Sequence, residues 1–261
     1  VKYLSDSYTD AVEELSKQYS GIRLERQKKY LPFMVAEGCS FYDLYQQRFA
    51  DNIGQLMNAA MRQIEADNNQ QLAGVLSAVD YNSENALGTR EHKNAILRDL
   101  LEDFEPLDLR PSAIEVKEGQ VPADVIGDAY EYMIGQFASM AGKKAGSFYT
   151  PAAVSEIMAR IVDVQPGERV YDPTCGSGSL LIKAAKKQNS KEVSIYGQEV
   201  NGSSVAMAKM NMYIHEIRDA KIGWGDTLAN PVFLDADGNL LLFDAIVANM
   251  PFSKDKWASG F

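Results

Sequence analysis

A chain of 261 residues, 46% hydrophobic and 24% charged, can bury one large core or two modest ones. It holds no run of the ~20 apolar residues that a membrane-crossing helix needs, and its two cysteines, Cys39 and Cys175, are too few for a disulfide framework or a four-ligand metal site. The net charge of −10 argues against a protein that grips nucleic acid unaided, because Lys and Arg on phosphates supply most non-specific affinity.

With no basic, apolar leader, the chain reads as cytoplasmic, with two domains, no membrane contact and both thiols reduced. Dividing it at Ala145 gives 15 basic and 23 acidic residues before that point and 11 and 13 after it. The acidity therefore sits in the first half, and any DNA contact must be local or shared with a partner. A start at Val1 and an end at Phe261, just past a motif, give the expectation of a piece of a longer protein.

Residues 1–145 carry helical periodicity. Ser40 suits an N-cap, with Asp43 three residues on. Leu44, Ile53, Leu56, Met57, Ala60, Met61 and Ile64 then recur at helical spacing, which predicts one amphipathic helix. Shorter helices are expected over 70–79 and 92–104, followed by a Pro-containing connector over 105–120. Another helix starts near Pro122 and carries Val125, Ile126, Ala129, Tyr130, Met133, Ile134 and Phe137 before Gly142. From Gly146 short strands alternate with helices, the pattern of a doubly wound sheet. Strands are expected over 169–172, 193–198, 221–224 and 243–248, helices over 151–162, 179–188 and 203–217, and a hairpin turn over Asp235 to Asn239. The fold expected is an all-α N-terminal domain, residues 1–145, ahead of an α/β domain, residues 146–261.

The strongest local signal runs from Val170 through Asp172, Thr174, Cys175, Gly176, Ser177, Gly178 and Ser179 to Leu181: a strand, a Gly-rich turn and a helix start. Such a turn lies at the carboxyl edge of an open sheet, where backbone can approach a ligand and the helix offers unpaired N–H groups. The Gly-Lys-Ser/Thr of a P-loop is absent, and a dinucleotide fingerprint would want Gly at Leu181. A bare structural turn remains an alternative. Glu199, at the end of the second strand, could bond two ribose hydroxyls, a feature common to nicotinamide and S-adenosylmethionine sites. Asn249, the Met250 carbonyl and Phe252 end the fourth strand, and this trio suits an exocyclic amine on a planar ring. A strand followed by a Pro turn and a core Phe is the blander reading of the same residues. The ordered recurrence of three such features at strand ends weighs against it.

Phe148-Tyr149-Thr150-Pro151, Asp172-Pro173-Thr174-Cys175-Gly176-Ser177-Gly178, Glu199, Gly225-Asp226 and Asn249-Met250-Pro251-Phe252 resemble, in order, the motifs of adenine amino-methyltransferases. Phe-Tyr-Thr-Pro ahead of the Gly turn, and the helical first half with Ile126 to Tyr132, resemble the methylation subunit of type I restriction-modification systems. The resemblance implies a Rossmann-like S-adenosylmethionine-dependent methyltransferase sheet and transfer of a methyl group to adenine N6 in DNA. It implies as partners a specificity subunit and a restriction endonuclease subunit, with two methylation subunits per specificity subunit.

Carried over to this sequence, the resemblance implies that Ser147, Phe148, Tyr149, Thr150, Pro151 and Ala152 cover the methionine end of the cofactor. Asp172, with Thr174 to Ser179, would hold its amino and carboxylate groups, Glu199 its ribose and Asp226 its adenine amine. Asn249, Met250, Pro251 and Phe252 would receive the target base, flipped out of the duplex. The family usually has Pro where Met250 stands; the carbonyl is kept and a fixed φ is lost. A non-catalytic cofactor-binding scaffold, and a methyltransferase for cytosine N4 or protein glutamine, are the competing readings. His92 and His215 read as ordinary residues, Cys175 as a small residue of the turn, and Lys183, Lys186, Lys187 and Lys191 as a solvated helix face.

Overall fold

The computed structural model describes residues 1–140, 150–186 and 192–250. It divides into two compact units, Val1–Pro122 and Ala123–Phe261.

The first unit is helical: α1 Lys2–Ser16, α2 Gly21–Lys28, α3 Phe41–Gln46, α4 Ile53–Asp67, α5 Asn69–Leu72, α6 Glu84–Leu87 and α7 Arg90–Phe104, then a 3-10 turn at Pro111–Ala113. The single helix expected from Ser40 to Ile64 is two. Ser40 and Asp43 form the capping box that starts α3, but Arg48 donates to the Tyr45 carbonyl (3.0 Å) and lies over the Tyr45 and Phe49 rings, closing the helix. The apolar stripe lapses there as well, with Gln47, Arg48 and Asp51 in its path. Helices α1 and α2 lie outside the expected elements, although Leu4, Tyr8, Ala11, Val12 and Leu15 recur at helical spacing on α1. On α1 the buried residues are Lys2, Leu4, Ser5, Asp6 and Ser7, so its packed face is mostly polar.

The second unit opens with α8 Pro122–Met140, followed by α9 Ala152–Val162, β1 Arg169–Asp172, α10 Ser179–Lys186, β2 Ser194–Glu199, α11 Gly202–Ile214, β3 Lys221–Trp224 and β4 Ala245–Ile246. These four strands pair in parallel, in the order β3-β2-β1-β4. Val170, Leu181, Ile182, Ile195, Ala208 and Met212 form the apolar centre between sheet and helices. Two strands keep their expected bounds, and β2 shifts by one residue. β4 is shorter than expected, although Asp244 N–H to the Arg169 carbonyl (3.0 Å) and Val247 N–H to the Tyr171 carbonyl (2.9 Å) carry the pairing past its ends. The expected hairpin turn is present, Asp235 accepting the N–H groups of Asp237 and Asn239 around Gly238 at φ +83°.

Helix α8 buries a different face from the expected one: Ala123, Gly127, Glu131, Ile134 and Ala138, while Met133 and Phe137 are exposed. Gly127 permits this, because a Cβ there would meet His215 Cε1 at 2.0 Å. The Lys183 ammonium reaches Glu131 (3.3 Å) and that of Lys186 reaches Asp124 (2.9 Å), so these two lysines tie α10 to α8 rather than forming a solvated face. Lys187 and Lys191 lie outside the described residues. His215 is buried with neither ring nitrogen hydrogen-bonded among the described residues; burial, then Lys186 and Lys183, drive its pKa down to about 3.

Candidate active site

Four chain segments leave the carboxyl edge of the sheet side by side, and each carries residues singled out from the sequence. The turn after β1 needs its glycines: Gly176 has φ +54° and Gly178 φ +77°, and a Cβ on Gly178 would come within 2.9 Å of the Met212 methyl. Gly178 N–H donates to the Cys175 carbonyl (2.7 Å), and the Ser177 and Ser179 hydroxyls share a hydrogen bond (3.0 Å). Asn211 of α11 donates to the Ser177 carbonyl (3.1 Å), fixing the turn from behind.

Two buried carboxylates clasp this turn. Asp172 ends β1 and accepts the Thr174 N–H (2.9 Å). Glu199 ends β2, accepting Gly176 N–H on Oε2 (3.0 Å) and Asn201 N–H on Oε1 (2.8 Å). Burial first, and the neighbouring Glu199 charge to a lesser degree, push the Asp172 carboxyl up to about 7 against the pull of Thr174 N–H. An acidic pair next to a turn is matched by a cationic group on a ligand. Each Glu199 oxygen uses one lone pair on backbone, which leaves capacity for two further donors. Cys175 packs its Sγ beneath the turn, where a Cβ on Gly197 would meet it at 2.9 Å, and burial pushes its thiol well above the usual range. That environment removes the thiolate a nucleophile needs.

Asp226, past β3, is exposed and accepts the N–H groups of Leu228 (2.9 Å) and Ala229 (3.2 Å) on Oδ1. The adjoining Thr227 hydroxyl donates to the Pro173 carbonyl (2.5 Å), tying this loop to the glycine turn. Past β4, the Asn249 amide nitrogen donates to the Thr150 hydroxyl (3.2 Å), and Pro151 caps α9. Ala152 opens that helix, and Met250 is half exposed. Ser147, Phe148, Tyr149, Pro251 and Phe252 lie outside the described residues.

One residue at this edge escaped the sequence reading. Gln198 is fully buried and donates to the carbonyls of Gly225 (3.3 Å) and Asn230 (2.9 Å) while accepting from Val232 N–H (3.1 Å). It sets the height of the Asp226 loop. A polar residue inside an otherwise apolar parallel strand, next to Glu199, was the available signal. Among the described residues there is no group of three or more His, Cys, Asp or Glu able to hold a metal, and no helix long and apolar enough to cross a membrane.

A parallel sheet whose first loop is a glycine turn clasped by a carboxylate from the next strand defines a doubly wound α/β protein with its ligand site at the carboxyl edge. The profile described as N-6 DNA Methylase matches residues 121–260, and the HsdM N-terminal domain profile matches residues 1–104. The chain belongs to the N-6 DNA methylase family. It is 30% identical over 268 residues to the type I restriction enzyme MjaVIII methylase subunit of Methanocaldococcus jannaschii, covering 97% of this chain and 43% of that protein. It is 36% identical over 186 residues to the MpnII methylase subunit of Mycoplasma pneumoniae, covering 67% of this chain and 33% of that one. The crystal structure of a type I restriction-modification system methyltransferase subunit from Streptococcus thermophilus superposes with a TM-score of 0.73 at 28% identity, over 97% of this chain and 57% of that one. The chain thus spans about half the length of these relatives or less.

Proposed function

We propose that this chain binds S-adenosylmethionine and forms the base-receiving edge of a DNA adenine-N6 methyltransferase, as the methylation subunit of a type I restriction-modification system. The reading rests chiefly on one observation: Thr150 and Asn249, far apart in sequence, hydrogen-bond at the sheet edge that also carries the glycine turn and the two buried carboxylates. Asp172 and the turn 174–179 hold the amino-acid end of the cofactor, with its ammonium against the acidic pair. Glu199 accepts both ribose hydroxyls, and Asp226 faces the adenine amine. When bound, the cofactor supplies an electrophilic methyl group.

The chain's own work is positioning and electrostatics. Thr150 engages the amide nitrogen of Asn249, so the amide oxygen is that side chain's acceptor for a hydrogen of the target amine. The Met250 carbonyl takes the other hydrogen. Accepting both favours a pyramidal nitrogen whose lone pair is no longer spread into the ring. Phe252 stacks on the flipped base, contributing ~1–3 kcal/mol against the cost of unstacking it. A specificity subunit selects the DNA site, with two methylation subunits beside it, and a restriction subunit completes the complex. The full-length protein, incubated with labelled cofactor and DNA with and without the specificity subunit, should place label on adenine N6 only when both are present. Label on cytosine N4 or on protein, or no transfer despite cofactor binding, would select one of the competing readings.

A further inference from the structure

A cationic segment of this acidic chain lies in the helical unit and contains none of the residues assigned above. Between Lys17 and Lys29 five cations, Lys17, Arg23, Arg26, Lys28 and Lys29, stand against the single anion Glu25. The structure makes most of this segment the helix α2, none of whose residues is buried. A helix with no fully buried residue, only half-buried Leu24, Gln27 and Lys28, that keeps Ile22 (76%) and Tyr30 (82%) exposed at its ends presents most of its surface for contact with something else. Lys17 and Lys28 are paired with Glu14 and Glu25. Arg23, Arg26 and Lys29 have no ion pair among the described residues. They follow one another at three-residue steps, and Lys29, at φ −66° and ψ −16°, continues the helical path past the end of α2.

We infer that Arg23, Arg26 and Lys29 form a contact surface for the sugar-phosphate backbone of DNA. Like charges three residues apart on one helix repel each other, which costs stability unless a polyanion offsets it. The three span about 9 Å along the helix, and one strand of B-DNA presents two to three phosphates in that axial length at ~3.4 Å each. Arg suits phosphate by its fork of donors, and the exposed Tyr30 ring beside it can lie against sugar or base. The surface is sequence-blind: it adds affinity and leaves target choice to other groups. It also reconciles a net charge of −10 with a DNA substrate, since the cations are concentrated where the phosphates are met.

This inference rests on the reading of the chain as part of a DNA methylase, and the test separates the two. The intact protein, without other subunits, is titrated with a labelled duplex of arbitrary sequence at several salt concentrations, alongside the variant R23Q/R26Q/K29Q and the control K117Q. Because no residue of α2 is buried, circular dichroism and melting temperature should stay at wild-type values. The slope of log Kobs against log salt should shrink by about 2–3, roughly 0.9 for each phosphate that is no longer neutralised, with at least tenfold weaker binding at low salt. R26Q alone should shrink the slope by about 0.9, and K117Q should leave it as it is. An unchanged slope and affinity in the triple variant overturns the inference. So does unchanged DNA binding accompanied by the loss of poly-glutamate binding, which would assign the helix to an acidic protein partner. Calorimetry with S-adenosylmethionine is run on the same samples: failure to bind it defeats the methylase reading, whereas normal cofactor binding with an unchanged DNA slope defeats only this inference.

Discussion

Both units bury charge, and the Lys2–Asp6 pair of the first contrasts with the Asp172–Glu199 pair of the second. In the helical unit the buried Lys2, Asp6 and Asn68 meet complementary partners. Lys2 bonds both oxygens of Asp6 (2.9 Å each) and the Tyr42 hydroxyl (2.8 Å), while Asp6 also accepts Leu109 N–H (2.9 Å). Asn68 both accepts from and donates to the backbone of Met34 (2.8 Å each). Partial burial alone would raise the Glu65 carboxyl, but the N–H groups of Ser77, Gly74 and Leu76 bring it below the usual range. In the sheet unit Asp172 and Glu199 are two buried carboxyl groups close enough for the Glu199 charge to raise the Asp172 pKa. Complementary buried charge is architecture; two carboxyl groups buried together at a sheet edge mark a candidate functional site.

The most severe way to break this comparison is to remove one member of the complementary set. Asp6→Ala strands the Lys2 ammonium in the interior, and breaking such a buried pair costs about 3–5 kcal/mol. Calorimetric melting should show that destabilisation, while cofactor affinity measured well below the transition stays at the wild-type value. A parallel fall in affinity would mean that the two kinds of burial are not separable.

Asn249→Ala acts at the edge instead. If the amide oxygen matters chiefly as positive charge grows on the target nitrogen, turnover in the complete enzyme should drop about 10²–10³-fold, with melting temperature and cofactor affinity unchanged. A stable, cofactor-binding variant with wild-type turnover sinks the mechanism. Glu199→Ala should weaken S-adenosylmethionine binding about tenfold or more, as expected when hydrogen bonds to a charged group are removed. It should also lower the melting temperature, because Gly176 and Asn201 lose their acceptor. Unaltered affinity by calorimetry would take Glu199 out of the site.

Legibility in the sequence follows the same divide. In the sheet unit, short strands alternating with helices, two of them ending in Asp172 and Glu199, announce the fold and the candidate site, and Arg169–Asp172 and Lys221–Trp224 form within their expected bounds. In the helical unit α1 repeats Leu4, Tyr8, Ala11 and Leu15 at helical spacing, but most of its fully buried groups are Lys2, Ser5, Asp6 and Ser7, which hydrophobic periodicity does not mark. Helix α2 is short and has no fully buried residue, with Leu24 its one half-buried apolar side chain, which leaves little pattern to mark it. The packed face of α8 departs from its apolar stripe because its inward residues are Gly127 and Glu131, the first selected by the approach of His215 and the second by Lys183. Gln198 shows the same limit at the site: a strand pattern can mark a polar residue but cannot say that it reaches Gly225 and Asn230.

The smallest expected effect tests whether the acidic pair is waiting for a cation. With a folded-state pKa of about 7, Asp172 holds its proton far above the unfolded value of about 3.9. The folded chain therefore binds more protons than the unfolded chain between about pH 4 and 7, and its stability should decline as pH rises through that window and then level off. Asp172→Asn, which keeps an oxygen for the Thr174 N–H, should abolish that decline. Binding of a cationic ligand favours the ionised carboxyl, so the wild-type chain should release protons on binding S-adenosylmethionine and gain affinity severalfold between about pH 6 and 8 relative to the Asn variant. The cofactor's own amine titrates identically in both experiments, so the difference between the two chains isolates the side chain. Equal pH profiles for the two would mean that Asp172 is a turn-former for Thr174 and no part of the ligand's electrostatic partner.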